Sequence, residues 1–292
     1  METHLTAAEE RWLSDFIQAG IEEDAGPGDH TSRACIPESA RNTARLLVKD
    51  EGVLAGTAVA ERILRYLDPG CVFRQWIHDG ERVKPGDIVF EAEASTRVLL
   101  LAERLLLNTM QRMSGIATET ARYCDQVKDL SVRILDTRKT TPRLRFLEKW
   151  AVRTGGGVNY RSGLYDWFMI KDNHVDASGG MRQAIERVLA YRKANHLDLG
   201  ITVEVRNFKE LEEALEIGGF TRIMFDNFSP AQLQEGVERV SRRFETEASG
   251  GISFDTLRAY ALTGVDYISI GALTHSFRSL DLSFKISLSP LT

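Results

Sequence analysis

Cysteine is scarce: Cys35, Cys71 and Cys124 are the 3 in a chain of 292 residues. An odd number with no CxxC or Cys/His spacing argues against a disulfide framework and a zinc site, and fits the reduced thiols of a cytoplasmic protein. Long apolar runs are missing as well, so no segment is predicted to span a bilayer. The opening METHLTAAEERWLSDF is polar and amphipathic, without the basic and apolar regions of a signal peptide. Positive charge is not in excess: 37 Lys and Arg against 42 Asp and Glu leave −5, which argues against nonspecific nucleic-acid binding. No G-x-G-x-x-G follows a first strand, so a dinucleotide fold has little support. What is there, 43% hydrophobic and 27% charged residues, is ordinary globular composition. The length suits one large α/β domain, or a barrel with a smaller companion.

Against the acidic balance, cations concentrate locally. Residues 132–175 hold Arg138, Lys139, Arg143, Arg145, Lys149, Arg153, Arg161 and Lys171. Two short apolar runs there, 132–135 and 167–170, end abruptly in Asp136-Thr137-Arg138-Lys139 and Lys171-Asp172-Asn173-His174. Strands that stop at clustered cations are how an α/β protein builds a pocket for a small poly-anion.

From about residue 130 the chain repeats a unit of apolar strand, polar tip and amphipathic helix. Strands are predicted at 132–135, 167–170, 201–205, 222–225, 244–248 and 267–270, with helices at 180–196, 208–215, 230–243 and 254–262. Alternation of this length implies parallel strands with right-handed crossovers, and six or seven units suit a barrel better than an open sheet. The first 130 residues read differently: strands at 45–49 and 71–77, a helix at 58–66 between them, and two turns around a short hairpin at 79–87. A helix at 97–126 bridges the two parts. Leu280, Leu282, Phe284, Ile286 and Leu288 alternate with polar residues, a last strand with no following helix, expected to leave the barrel and pair with the N-terminal sheet.

The polar tips carry the chemistry. They include Glu204, Asp226-Asn227, Ser249-Gly250-Gly251 and Gly271 besides the two basic ones, and all fall at strand C-termini, where barrel enzymes place their sites. A single charged residue after a strand is ordinarily a solvated loop residue; six tips in register are not. Glycines let backbone N–H groups approach phosphate, and a helix follows from Ser253, although paired glycines also make plain tight turns. Glu204 and Asp226 can hold Mg²⁺ or ribose hydroxyls, stabilise a cationic transition state, or simply pair with neighbouring lysines. Arg104, Arg138 and Arg161 are candidate carboxylate forks, whereas Lys139 and Lys171 suit phosphates as mobile point charges. Arg143, Arg145 and Arg153 read as solvated charges, and His174 as a base or a hydrogen-bonding support.

These residues resemble a known family, the quinolinate phosphoribosyltransferases. The resemblance runs from Glu23-Asp24, Gly28-Asp29 and Thr31-Ser32 through Glu103-Arg104, Leu107-Asn108, Gln111-Arg112 and Ser114-Gly115-Ile116-Ala117-Thr118. It continues through Asp136-Thr137-Arg138-Lys139-Thr140-Thr141-Pro142, Gly155-Gly156-Gly157 and Lys171-Asp172-Asn173-His174 to Ala272-Leu273-Thr274-His275-Ser276. It implies an N-terminal α/β sandwich at 1–115, joined by a C-terminal strand at 276–292, and an incomplete seven-stranded α/β barrel at 116–275, in a homodimer. It implies phosphoribosyl transfer from phosphoribosyl pyrophosphate (PRPP) to quinolinate with decarboxylation, with Mg²⁺ accompanying PRPP. By the same resemblance Arg138 and Arg161 bind the quinolinate carboxylates, and Arg104 reaches in from the neighbouring subunit. Lys139 and Lys171 contact both substrates, Glu204 and Asp226 hold the ribose and the Mg²⁺-linked PRPP, and Ser249, Gly250, Gly251 and Gly271 cradle the 5-phosphate.

Two positions depart from the family pattern. Tyr160 stands where a substrate-contacting histidine is common, keeping a donor but losing the imidazole's charge. Arg206 replaces a more usual acidic or neutral residue close to Glu204. Two rival readings are a molybdenum-operon paralogue of the same fold, which lacks the full Lys-Asp-Asn-His tip, and a catalytically silent phosphosugar-binding protein.

Overall fold

A computed structural model describes residues 5–287; Leu288, the last of the alternating apolar positions, lies outside them. In chain order the strands are β1 (Arg41–Val48), β2 (Gly52–Val53), β3 (Val72–Gln75), β4 (Arg82–Val83), β5 (Ile88–Ser95), β6 (Arg133–Leu135), β7 (Phe168–Ile170), β8 (Ile201–Val205), β9 (Arg222–Asp226), β10 (Glu245–Ser249), β11 (Tyr267–Ser269) and β12 (Leu282–Ser287). The helices are α1 (Ala7–Ala25), α2 (His30–Cys35), α3 (Thr57–Leu67), α4 (Thr96–Gln126), α5 (Arg145–Thr154), α6 (Asp172–Ser178), α7 (Met181–Ala194), α8 (Phe208–Ile217), α9 (Pro230–Val240), α10 (Phe254–Ala261) and α11 (Ala272–His275). Among the described residues none of these helices is long and apolar enough to cross a membrane.

Two compact units result. The first takes the chain up to Glu119, Phe146–Gly155 and the segment from Phe277; the second takes Thr120–Arg145 and Gly156–Ser276. The division therefore falls inside α4, and it assigns Phe146–Gly155 to the first unit although the sequence boundaries put it with the barrel. The physical reason is aromatic: Phe146 meets Trp12 at 5.0 Å and Trp150 at 5.7 Å between ring centroids, in line with Phe16.

The first unit is built on a four-stranded antiparallel sheet in the order β12-β1-β5-β3. Its strands alternate because one face is dry: Ala44, Leu46, Val48, Phe90, Ala92 and Ala94 are fully buried. Phe90 sits at the centre, 4.5 Å from Phe73 and 6.1 Å from Phe284. The pairing of β12 with β1 fulfils the expectation for the last strand. The expected hairpin at 79–87 does not form. Arg82–Val83 pairs instead with Gly52–Val53, and Asp79 caps α3 by accepting the N–H groups of Gly56 and Thr57 at 2.9 and 3.0 Å. Those donors would otherwise be unsatisfied at a helix start, so the turn is recruited to them.

The second unit holds six parallel strands in the order β6-β11-β10-β9-β8-β7. All six strands match the predicted positions within about two residues. In place of a seventh strand there is one bridge, Val158 on Leu135, so the barrel is incomplete. Residues facing the helices are aliphatic or aromatic and fully buried, among them Val203, Val205, Ile223, Phe225 and Ile268. Gly236 lets α9 approach closely, since a Cβ there would lie 2.5 Å from Phe225. Caps follow the sequence: Asn207 accepts the Glu210 N–H before α8, and Ser229 with Gln232 forms a capping box before Pro230. All three cysteines are free, Cys35 being exposed, and burial pushes the Cys124 thiol up to about 11.

Candidate active site at the barrel mouth

A cavity of about 640 Å³ opens at the C-terminal ends of the parallel strands, within the size range of small-molecule sites. Each wall is a strand tip. β6 delivers Asp136, fully buried, whose Oδ1 accepts the Tyr160 N–H at 2.8 Å. The next residues turn outward, so that Arg138 and Lys139 are exposed at the mouth. Arg145 ties that turn down by donating to Thr140 Oγ1 at 3.0 Å and to the Ser162 carbonyl at 2.8 Å. It is thus a brace rather than the solvated charge that its spacing suggests.

Tyr160 and Arg161 line the cavity beside the β6 tip. Arg161 donates to the Trp167 carbonyl at 3.2 Å. Burial, and then the neighbouring Arg138, hold its guanidinium below the usual arginine range. Two cations pressed together in a concave site are poised for an anion, because a carboxylate would relieve both the burial and the repulsion. Lys171, at the end of β7, donates to Glu204 Oε2 at 2.6 Å. Glu204 is itself buried and does not line the cavity; it meets the mouth through Lys171. Asp226 does line it, and accepts from Asn227 Nδ2 at 2.8 Å.

The last wall is backbone. Ser249, Gly250, Gly251 and Gly271 all border the cavity. Gly250 and Gly251 have φ of +96° and +62°, and a Cβ on Gly250 would lie 2.3 Å from Asn227 Oδ1. Only glycine fits that loop, which leads into the start of α10.

Two further residues named from the sequence have clear partners. His174 Nδ1 accepts the Lys171 N–H at 3.0 Å, which is a support for the turn. Arg206 bonds Asp176 at 3.0 Å and Glu210 at 2.9 Å and is absent from the mouth, since β8 ends at Val205 and these two carboxylates hold Arg206 in the turn toward α8. Arg104 belongs to the first unit and does not line the cavity. It is exposed, on the wet side of α4.

Sequence reasoning missed a second ring of lining residues: Met169, Met224, Glu247 and Ser269. Each lies two positions before a tip already named, so strand alternation could have found them. Below them runs a buried polar cluster. Glu247, fully buried, accepts from Ser269 Oγ at 2.6 Å and from Arg222 at 3.1 Å. Burial raises the Glu247 carboxyl. It would lower Arg222, but Glu247 and Glu245 outweigh it and hold the guanidinium charged. The Tyr160 hydroxyl is hydrogen-bonded to Thr202 Oγ1, and burial first, then Glu247, pushes the phenol far above its ordinary value. It is a neutral group at any working pH.

Glu204 and Asp226 offer hard oxygen donors, but the described residues contain no cluster of three or more His, Cys, Asp or Glu able to hold a metal alone. A divalent cation would complete its shell with water and with oxygens of a bound substrate.

Known proteins of similar sequence and structure share this arrangement of chain. Residues 29–114 match the N-terminal domain of quinolinate phosphoribosyl transferase, and residues 116–285 match its C-terminal domain. A quinolinate phosphoribosyltransferase (decarboxylating) of Nicotiana tabacum is 43% identical over 289 residues, covering 94% of this chain and 82% of its own. A probable nicotinate-nucleotide pyrophosphorylase (carboxylating) of Bacillus subtilis is 42% identical, with 91% of each chain covered. The crystal structure of NadC from Streptococcus pyogenes superposes with a TM-score of 0.91 at 37% identity, over 98% of this chain and 99% of that one.

Proposed function

The chain belongs to the quinolinate phosphoribosyltransferase family, and from that premise we propose which residues carry out the family's reaction. That reaction moves phosphoribosyl from PRPP to quinolinate with decarboxylation, giving nicotinate mononucleotide, pyrophosphate and CO₂ in NAD biosynthesis. The observation that carries the assignment is the convergence of Arg138, Lys139, Arg161 and Lys171 on one cavity whose far wall is a glycine loop. Cations suit the pyridine dicarboxylate and the diphosphate, and the glycine loop suits the 5-phosphate.

Arg138 and Arg161 grip the two carboxylates and hold the pyridine nitrogen toward C1 of the ribose, a proximity effect. Lys139 and Lys171 face both substrates. As pyrophosphate leaves, C1 gains oxocarbenium-like charge, which Asp226 and the Lys171-paired Glu204 stabilise electrostatically. Once ribosylated, the ring nitrogen is a cationic electron sink, so the adjacent carboxylate departs as CO₂ and the electron pair left on C2 takes up a proton from water. Asp226 and Glu204 would help to hold a Mg²⁺ ion accompanying PRPP, which would neutralise charge on the diphosphate. A cytoplasmic location is supported by the three free thiols.

The test is direct: the protein is given quinolinate and PRPP, and CO₂ and nicotinate mononucleotide are measured. Nicotinate leaves one arginine without its carboxylate, and should react at least about tenfold more slowly. Absence of both products, or nicotinate turned over as fast as quinolinate, overturns the assignment.

We further propose a homodimer in which Arg104 serves the partner's site. The support is its exposed position on α4 together with the resemblance. Arg104→Ala and Lys139→Ala should each be inactive alone. Mixed and allowed to exchange subunits, they should regain activity, because a heterodimer holds one site free of both substitutions. Heterodimers that form yet remain inactive would remove Arg104 from the site.

A further inference from the structure

Arg138 and Arg161 disfavour each other, so something other than attraction must hold them in place before a ligand arrives. The bonds around Arg161 trace to one atom. On one side of it the Tyr160 hydroxyl is bonded to Thr202 Oγ1. On the other, Arg161 donates to the Trp167 carbonyl at 3.2 Å, and Trp167 Nε1 donates to the same Thr202 Oγ1 at 2.9 Å. Thr202 is fully buried in β8, a strand with no exposed residue, and is therefore a rigid anchor. The Tyr160 ring lies 5.1 Å from the Arg222 guanidinium, and its N–H is held by Asp136 on the tip that continues to Arg138. One residue thus joins the tip of β6, the anchor in β8 and the cation in β9.

We propose that Tyr160 and Thr202 are positioning residues: the Tyr160 hydroxyl is committed to the barrel interior, and acts on quinolinate only by fixing Arg161 against Arg138. This rests on the assignment of those arginines to the carboxylates. A hydroxyl aimed at the ligand would be expected to wait for it with water as partner. This one is already bonded to two buried side chains, Thr202 and Glu247, and turning it outward would give up both bonds.

The experiment is a double-mutant cycle read on both substrates. Tyr160→Phe and Thr202→Val should each raise KM for quinolinate by a similar factor, about three- to tenfold, as expected for one buried hydrogen bond. KM for PRPP should stay unchanged, the double variant should be no worse than the poorer single one, and Thr202→Ser should behave as the parent. The proposal is overturned if Tyr160→Phe leaves the quinolinate KM unchanged, if Thr202→Val leaves it unchanged while Tyr160→Phe raises it, or if the two effects multiply. Should Thr202→Val fail to fold, calorimetric binding to Tyr160→Phe decides the matter. Pyridine-2-carboxylate and pyridine-3-carboxylate should weaken alike if both arginines have loosened. Weakening of only one of them would mean that the hydroxyl touches that carboxylate, and would overturn the proposal. Calorimetry with quinolinate also separates this question from turnover, so a protein that binds the acid but releases no CO₂ fails the functional assignment and still reads the cycle.

Discussion

In the antiparallel sheet the buried face is Ala44, Leu46, Val48, Phe90 and Phe284, whereas the parallel sheet turns Thr202, Glu204, Arg222 and Glu247 to its inside. The apolar residues of the second unit, such as Val203, Ile223 and Phe225, face its helices instead. The two units thus separate what holds them from what they can do by different means. In the first, the inside of the sheet is the source of stability, since burying a Phe or Leu side chain is worth about 1.5–3 kcal/mol. In the second, the outer layer between strands and helices supplies that term. A buried ion pair such as Arg222–Glu247 contributes little net stability, because desolvation offsets its attraction. The barrel interior is therefore available for chemistry, with charge-bearing side chains held rigidly from below.

The largest test of this contrast is Phe90→Ala. It should lower the unfolding free energy by about 3–5 kcal/mol in urea denaturation, while folded protein keeps both KM values. A changed KM would mean that the first sheet tunes the site. Arg138→Ala should do the reverse: kcat/KM for quinolinate falls by the equivalent of about 2–3 kcal/mol, the value of a charge-assisted bond. Its stability should stay within about 0.5 kcal/mol of the parent's, because the side chain is exposed. A fall in thermal midpoint without loss of kcat/KM would break the division of labour.

The smallest effect belongs to a charge in the apolar unit. Asp68 accepts from the Ser95 and Gly70 N–H groups at 3.0 and 2.9 Å and from Arg41 at 3.1 Å. The Ser95 bond above all, then those of Gly70 and Arg41, hold its carboxyl below the usual value of 3.8. A depressed folded-state value means that the stabilisation is present above the unfolded value and is lost as pH falls through the folded one. Asp68→Asn should therefore cost about 0.5–1.5 kcal/mol at neutral pH. Its difference from the parent should shrink below about pH 4. A difference that is constant from pH 7 to pH 2 would assign the effect to shape and not to charge.

What was legible in the sequence follows the same contrast. The parallel strands and their tips could be read because each strand is short, apolar and ends in charge or glycine, so Arg138, Lys171, Asp226 and Gly250 announce themselves. Met169, Glu247 and Ser269 were hidden because they look like ordinary strand residues until the inward face is known. The brace role of Arg145 was out of reach, as its partners Thr140 and Ser162 flank it through a turn that spacing does not fix. In the first unit β5 escaped notice, since Glu91 and Glu93 interrupt its apolar run on the wet face. The β2–β4 pair joins two segments about 30 residues apart that each offer only two residues to the ladder.

The pairing of β12 with β1 also has a consequence in time. Arg41–Val48 and Leu282–Ser287 are neighbours in the sheet, yet more than 230 residues of chain separate them. At roughly 5–20 residues per second on the ribosome, β1 spends about 10–50 seconds as an open strand edge while the rest of the chain is made. Its outer row of N–H and C=O groups is meanwhile a template for any extended segment, including the same strand of a neighbouring nascent chain. Arg41 and Arg45, which pair with Asp68 and Glu91 in the finished sheet, also place charge along this strand and so guard its assembly.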